Sequence, residues 1–244
     1  MMDRPKIICH VLQSVDGNID GSFFSQPETM QVLREFARIR KEYACDAVIS
    51  GATTASEIYA SIITDNLPEV QETYPHSDWQ AAKADKYAVI IDGEGKIRWQ
   101  SGMVERRGDK MHVITILQEN VSDAYIAHLR QAGVSYVFAG KDSLDLPLAV
   151  RKLKEQFGIK KMLLSGGGIV DWAFLQAGLI DEISLIIPPV IDGGTGLASA
   201  FDDSPFSEGH SPVPMRLLDA QRLNGSGIWL RYSIGTSNTD IGNV

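Results

Sequence analysis

Short apolar runs, each followed by a helical pattern with legible ends, constrain this chain more than any other feature. "KIICHVLQ" (6–13), "DAVIS" (46–50), "YAVIID" (87–92), "MHVITIL" (111–117), "VSYVFAG" (134–140) and "KMLLS" (161–165) are dominated by apolar residues. Runs of this kind suit strands buried on both faces. The segments between them carry helix signals. Pro27 suits a first helical turn, and Val32, Phe36, Ile39 and Tyr43 follow at helical spacing. Ser122 is placed to cap a helix that stops at Gly133. Asp145 is placed to cap another, with Leu146, Val150, Leu153 and Phe157 on one face and Gly158 at its end. A last helix follows Gly166, Gly167 and Gly168 and ends at Gly178. This alternation predicts an α/β protein with a mostly parallel central sheet covered on both faces.

The C-terminal part changes character. "DEISLIIPPVI" (181–191) reads as a strand, and a turn-rich stretch follows it. "MRLLDAQRL" (215–223) and "GIWLRYSI" (227–234) then flank the hairpin signal around "NGSG". The sheet should therefore finish with antiparallel C-terminal edge strands. Neither a linker nor a repeat divides the chain, so residues 1–244 are expected to form a single domain. The stretch 60–86 reads either as an irregular lid or as an inserted helix.

A net charge of −8 argues against a nucleic-acid partner, which would need a basic face, but leaves room for a small anionic ligand held by backbone amides. The two cysteines, Cys9 and Cys45, sit in apolar surroundings and read as free thiols of a reducing compartment. No pair has metal-ligand spacing, so no metal is expected. With no leader pattern and no long apolar span, the expected location is the cytoplasm, without membrane contact.

Three loops follow strands, and in a parallel sheet such loops form the binding edge. The first, "SVDGNIDGSF" (14–23), presents Ser14 and Asp16 between two Asp-Gly pairs. It reads either as a surface loop or as an active-site loop that closes over a ligand. The second, "SGATTASEIY" (50–59), places Gly51 at a strand end, with Thr53 or Thr54 available to cap the next helix and to offer a hydroxyl to phosphate. The third, "SGGG" (165–168), puts three glycines before a helix whose free amides and positive dipole end favour an anion. It reads either as a tight turn or as a pyrophosphate cradle. Two such loops at strand carboxyl ends favour a dinucleotide. His10, His76, His112, His128 and His210 are scattered, and no hydrolase or Walker motif is present. A cofactor that brings its own reactivity suits a chain without a dedicated nucleophile.

In this order, the motifs resemble the reductase domain at the C-terminus of bacterial riboflavin-pathway deaminase-reductases. "SVDGNIDG", "CDAVISGATT", "YAVIIDGEGKI", "LLSGGG", "FLQAGLIDEISLIIPPVIDGG" and "GIWLRYSI" carry the resemblance over most of the chain. It implies a dihydrofolate-reductase-like three-layer sandwich and an NADPH-dependent oxidoreductase of riboflavin biosynthesis, a stand-alone homodimer. Its small-molecule substrate would be 5-amino-6-(5-phosphoribosylamino)uracil or a related heterocycle, reduced at a C=N or C=O carbon. Gly51 and Thr54, with Thr53 beside them, would lie near the cofactor phosphates. Gly166, Gly167 and Gly168 would meet the pyrophosphate, with Ile169 and Val170 starting the helix there. Ser14 and Asp16 would lie by the nicotinamide and substrate, and the 191–194 turn, Gly193 included, would close the nicotinamide side. Proton delivery would fall to Asp16 or to water.

Two departures leave the substrate open. "TASEIYASIITDNLPEV" stands where the family usually has an acidic pair and a proline, and Ser165 stands where it tends to have glutamate. Among the cations near strand ends, Arg98, Arg106, Arg107 and Lys141 are available to a 2′-phosphate or to solvent. One alternative is a dihydrofolate-reductase-type pterin reductase with Glu35 as its substrate carboxylate. The other is a dinucleotide-binding protein without turnover.

Overall fold

Local chemistry sets the helix ends. In the computed structural model, which describes residues 3–59, 62–63, 72–203 and 211–235, α1 (Pro27–Glu42) opens on its proline. Helix α3 (Asp123–Ala132) is capped by Ser122, whose Oγ accepts the Tyr125 amide at 3.2 Å, and stops at Gly133 with φ 69°. Asp145 caps α4 (Leu146–Phe157) by accepting the Leu148 amide at 2.9 Å, and Gly158 ends it with φ 71°. Left-handed backbone at both stops is what glycine tolerates and other residues resist. Helix α2 (Ala52–Tyr59) starts directly after β2, so Thr53 and Thr54 lie in its first turn and neither occupies the cap position expected of them. Helix α5 (Gly168–Gln176) takes Gly167 as its cap residue and lacks a capping side chain.

The strands are β1 (Lys6–Leu12), β2 (Ala47–Gly51), β3 (Ile62–Ile63), β4 (Tyr87–Ile91), β5 (Ile97–Arg98), β6 (Met103–Arg106), β7 (Asp109–Leu117), β8 (Ser135–Phe138), β9 (Lys161–Leu164), β10 (Glu182–Ile187), β11 (Met215–Arg222) and β12 (Ile228–Ile234). The main sheet runs β11-β12-β10-β1-β9-β2-β4-β7, with β8 and β6 both pairing to β7. Every pairing from β10 to β8 is parallel; β11, β12 and β6 pair antiparallel. The expected mostly parallel sheet with antiparallel C-terminal edge strands is present. A second antiparallel edge, β6, turns into β7 through Arg107 and Gly108, both at positive φ.

Side chains alternate between the two faces. Ile7, Cys9, Val11, Ile49, Leu164 and their neighbours pack on one face with α4 and α5. The opposite face carries two separate clusters. Leu12, Phe23, Val32, Ile39 and Ile186 join β1 and β10 to α1, whereas Ala55, Ala88, Ile90, Val113, Tyr125 and Ile126 join β4 and β7 to α2 and α3. Among the described residues, the last turn of α1 and the β6–β7 hairpin flank a hollow over Val48 of β2 and Leu163 of β9. Of the stretch 60–86, the described residues 72–86 carry no helix; they run past β8, where Trp79 bridges to Tyr136 and Arg130 stacks on Trp79 at 4.1 Å. Ile62–Ile63 form β3, paired antiparallel with β5, and residues 60–61, 64–71 and His210 lie outside the described residues.

Candidate active site

The three loops singled out from the sequence come together at the carboxyl edge of the sheet. Gly51 ends β2, and a Cβ built on it would stand 3.0 Å from Val170 Cγ2 at the start of α5. A Cβ on Gly167 would meet only Thr54 Oγ1, at 3.9 Å. The amino ends of α2 and α5 therefore lie side by side.

The three glycines serve different purposes. A Cβ on Gly166 would press on Val170 at 2.8 Å, and one on Gly168 would stand 2.4 Å from the Ser199 carbonyl oxygen. Both are glycine because the protein packs against them. Only Gly167 faces open space. None of the three adopts positive φ, so close approach, not backbone conformation, is what requires glycine. Among the described residues the amides of Gly167, Gly168 and Ile169 have no acceptor, as the first turn of a helix dictates. Ile169 is exposed beside them. Three free donors around a residue without a side chain fit a diphosphate.

Beneath this loop lies a residue that sequence reasoning missed. Asp171 is fully buried, next to the Cys9 thiol and the Gly166 amide, and neither carboxyl oxygen reaches hydrogen-bond geometry. Burial pushes its carboxyl well above the usual range, and the apolar position holds the proton on.

Ser14 and Asp16 organise the first loop. Ser14 is fully buried, and its hydroxyl donates to Asp16 Oδ1 at 2.5 Å while accepting the Asn18 amide at 3.0 Å. Asp16 is exposed, yet its carboxylate also accepts the amides of Asp192 at 3.0 Å and Gly193 at 2.8 Å. The Ser14 hydroxyl first, then the Gly193 and Asp192 amides, lower its carboxyl to about 2. Asp192 reciprocates: its Oδ2 accepts the Phe23 amide at 2.8 Å. The β1 loop and the 191–194 turn are thus clasped from both sides. Asp192 was visible in the sequence only as part of an Asp-Gly-Gly turn.

Other candidates fall elsewhere. Glu35 accepts from Asn224 Nδ2 at 2.8 Å and Arg38 at 2.9 Å, at the β11–β12 turn, so it offers no free carboxylate to a pterin. Arg106 and Arg107 lie at the β6–β7 turn, at the amino edge, away from any 2′-phosphate held at the glycine loop. His10 is buried between Ser184 and the Phe36 carbonyl, and burial lowers it to about 4; it is a core residue.

A parallel sheet whose carboxyl edge joins two helix amino ends to a clasped pair of loops defines an α/β protein of the dihydrofolate-reductase-like class. Within that class, a family model described as the RibD C-terminal domain matches residues 5–228, and the chain belongs to that family. It is 23% identical over 232 residues to the 2,5-diamino-6-ribosylamino-4(3H)-pyrimidinone 5′-phosphate reductase of Methanothermobacter thermautotrophicus, covering 95% of this chain and 99% of that one. The protein of the same name from Aquifex aeolicus is 21% identical, with 88% and 91% covered. Among solved structures, a pyrimidine reductase-like protein of Corynebacterium diphtheriae superposes with a TM-score of 0.67 at 19% identity, covering 96% of this chain and 93% of that one. The Thermotoga maritima deaminase/5-amino-6-(5-phosphoribosylamino)uracil reductase gives 0.61 at 20% identity, with 96% of this chain but 57% of that one covered.

Proposed function

We propose that this chain is a single-domain, NADPH-dependent reductase of 2,5-diamino-6-ribosylamino-4(3H)-pyrimidinone 5′-phosphate. The observation that carries the reading is the open, donor-lined Gly167 corner beside the Asp16–Asp192 clasp. The choice of the diamino substrate rests on the relatives of that name, which match along nearly their whole length. The uracil counterpart is the second reading, favoured by the fold shared with the two-domain enzyme.

NADPH, when bound, supplies a hydride to the imine or carbonyl carbon of the opened ribosyl group. The amides of Gly167, Gly168 and Ile169 would hold its diphosphate, and Thr54, with Thr53 on the same turn, would offer a hydroxyl. Gly51 lets Val170 and the α5 start sit close to α2. Ser14, Asp16 and Gly193 fix the two loops that would flank the nicotinamide, and that fixed frame would orient the acceptor against it. Asp16 stays ionised with both oxygens engaged, so its role is positioning, and water delivers the proton.

The exposed Met215, Leu217, Leu218 and Ile228 on the β11–β12 hairpin support a homodimer built on that edge. No helix among the described residues is long and apolar enough to cross a membrane, and the reading places the enzyme in the cytoplasm. The test is NADPH oxidation by purified protein with each pyrimidine. Turnover favouring the diamino compound is expected. Turnover with neither, despite NADPH binding, would leave a dinucleotide-binding protein without catalysis.

A further inference from the structure

Between the last turn of α1 and the β6–β7 hairpin, a cavity of about 550 Å³ lies over Val48 and Leu163. Its walls come from the last turn of α1, the amino ends of β2 and β4, and the β6–β7 hairpin. It is at the opposite end of the strands from the glycine loop. Ala47 lines it, whereas Gly51 marks the other end of β2, about 13 Å away at the usual strand rise.

Three arginines meet in this hollow: Arg40, Arg106 and Arg107. Arg40 and Arg106 are half-buried. Among the described residues none of the three has a hydrogen-bond or ion-pair partner. The carboxylates of the same wall are committed elsewhere or exposed. Asp109 pairs with Lys86 at 2.5 Å, Asp46 accepts the amides of Lys160 and Lys161 at 2.7 and 2.9 Å, and Asp85 is exposed. Burial lowers Arg40 and Arg106, and Arg107 lowers both further by repulsion. Half-buried like charges without a directly paired carboxylate cost stability. A chain of net charge −8 has no general reason to gather them.

We propose that this cavity binds the phosphate group of a small molecule, with Arg40, Arg106 and Arg107 as its ligands and Val48 and Leu163 as the apolar floor under the remainder. The guanidinium fork matches phosphate oxygens two at a time, and three such forks suit a dianion. Two molecules can bring that phosphate. One is a phosphorylated metabolite distinct from the substrate. The other is the substrate itself, bound through its phosphate. The inference rests on the cavity and stands without the reductase reading.

The test titrates the full chain with pyrophosphate by calorimetry, in the Gly167→Val background so that the glycine loop does not contribute. Saturable binding is expected, weakened about tenfold or more by Arg40→Gln and again by Arg106→Gln. Without anion, Arg40→Gln should melt no lower than the parent, because it removes repulsion. Absence of binding, or binding indifferent to both substitutions, overturns the proposal, as does a lower melting temperature of anion-free Arg40→Gln. A second arm adds the pyrimidine substrate in the same Gly167→Val background. Displacement of pyrophosphate by the phosphorylated form, but not by its dephosphorylated form, identifies the substrate as the source. Simultaneous binding identifies a separate ligand. Failure of reductase turnover leaves the first arm readable.

Discussion

The Asp16 carboxylate accepts the main-chain amide of Asp192 at 3.0 Å across 176 residues of sequence. Asp192 in turn accepts the Phe23 amide, so the two aspartates hold each other's loops. A group held at about 2 does not exchange protons near neutrality. Asp16→Asn should therefore keep NADPH affinity and lower turnover by about 10²-fold, the scale of a small misplacement of the reacting groups. The pH profile of the residual activity should keep its shape. A shifted or lost limb in steady-state kinetics from pH 5 to 9 would make Asp16 a proton donor after all.

The same clasp has a defined pH window. The folded carboxyl is depressed below its unfolded value of about 3.9, so its contribution is complete above that value. It is lost as pH falls toward 2. Loop protection from hydrogen exchange at Asp192 and Gly193 should persist at pH 5 and fail only in strong acid.

The glycines divide by what a side chain would meet. Gly167→Val is expected to abolish NADPH binding in a protein that melts normally, because its Cβ enters open space. Gly168→Ala instead drives a Cβ to 2.4 Å from the Ser199 oxygen and should cost about 1–3 kcal/mol of stability. Paired calorimetric titrations and thermal melts separate the two. Normal NADPH affinity in Gly167→Val would remove the cradle.

Asp171 works in the opposite sense to Asp16. Burial raises its folded carboxyl above the unfolded value, so the native state holds a proton that the unfolded chain releases. Stability should fall as pH rises above about 4, by up to ~1.4 kcal/mol per pH unit until the folded group titrates. Asp171→Asn, neutral throughout, should flatten that slope and melt higher at pH 8. Denaturant melts at pH 5 and pH 8 give both slopes; an unchanged slope would mean that Asp171 is not the group.

How far the sequence is legible depends on the range of the interactions. The caps Ser122 and Asp145 and the stops Gly133 and Gly158 act on neighbours within four residues, and all four are where the pattern places them. Strand β6 escaped notice because "MVER" leaves Met103 and Glu105 exposed and reads as loop; the Arg-Gly turn after it was the available signal. The cap expected of Thr53 or Thr54 does not form because α2 begins at Ala52, directly after β2 ends at Gly51, without an intervening loop. The roles of Asp171 and Asp192 depend on contacts made only by the folded sheet. Spacing shows a glycine run but not that Gly168 packs on Ser199 while Gly167 faces outward.

The proposed homodimer is assigned to the exposed β11–β12 hairpin. On that assignment the wild-type chain should sediment as a dimer and Leu217→Arg on β11 as a monomer, with NADPH affinity retained. A wild-type chain that sediments as a monomer at micromolar concentration would contradict the assignment of that edge.

Hydride transfer itself is tested most directly by isotope. The purified chain is incubated with the diamino pyrimidinone 5′-phosphate and NADPH deuterated at both C4 positions of the nicotinamide, and the product is examined by mass spectrometry and NMR. One deuterium at C1′ of a ribitylamino product is expected, with the label lost from the Gly167→Val reaction. A ribityl product without deuterium, or no product while NADPH is bound, would contradict the account.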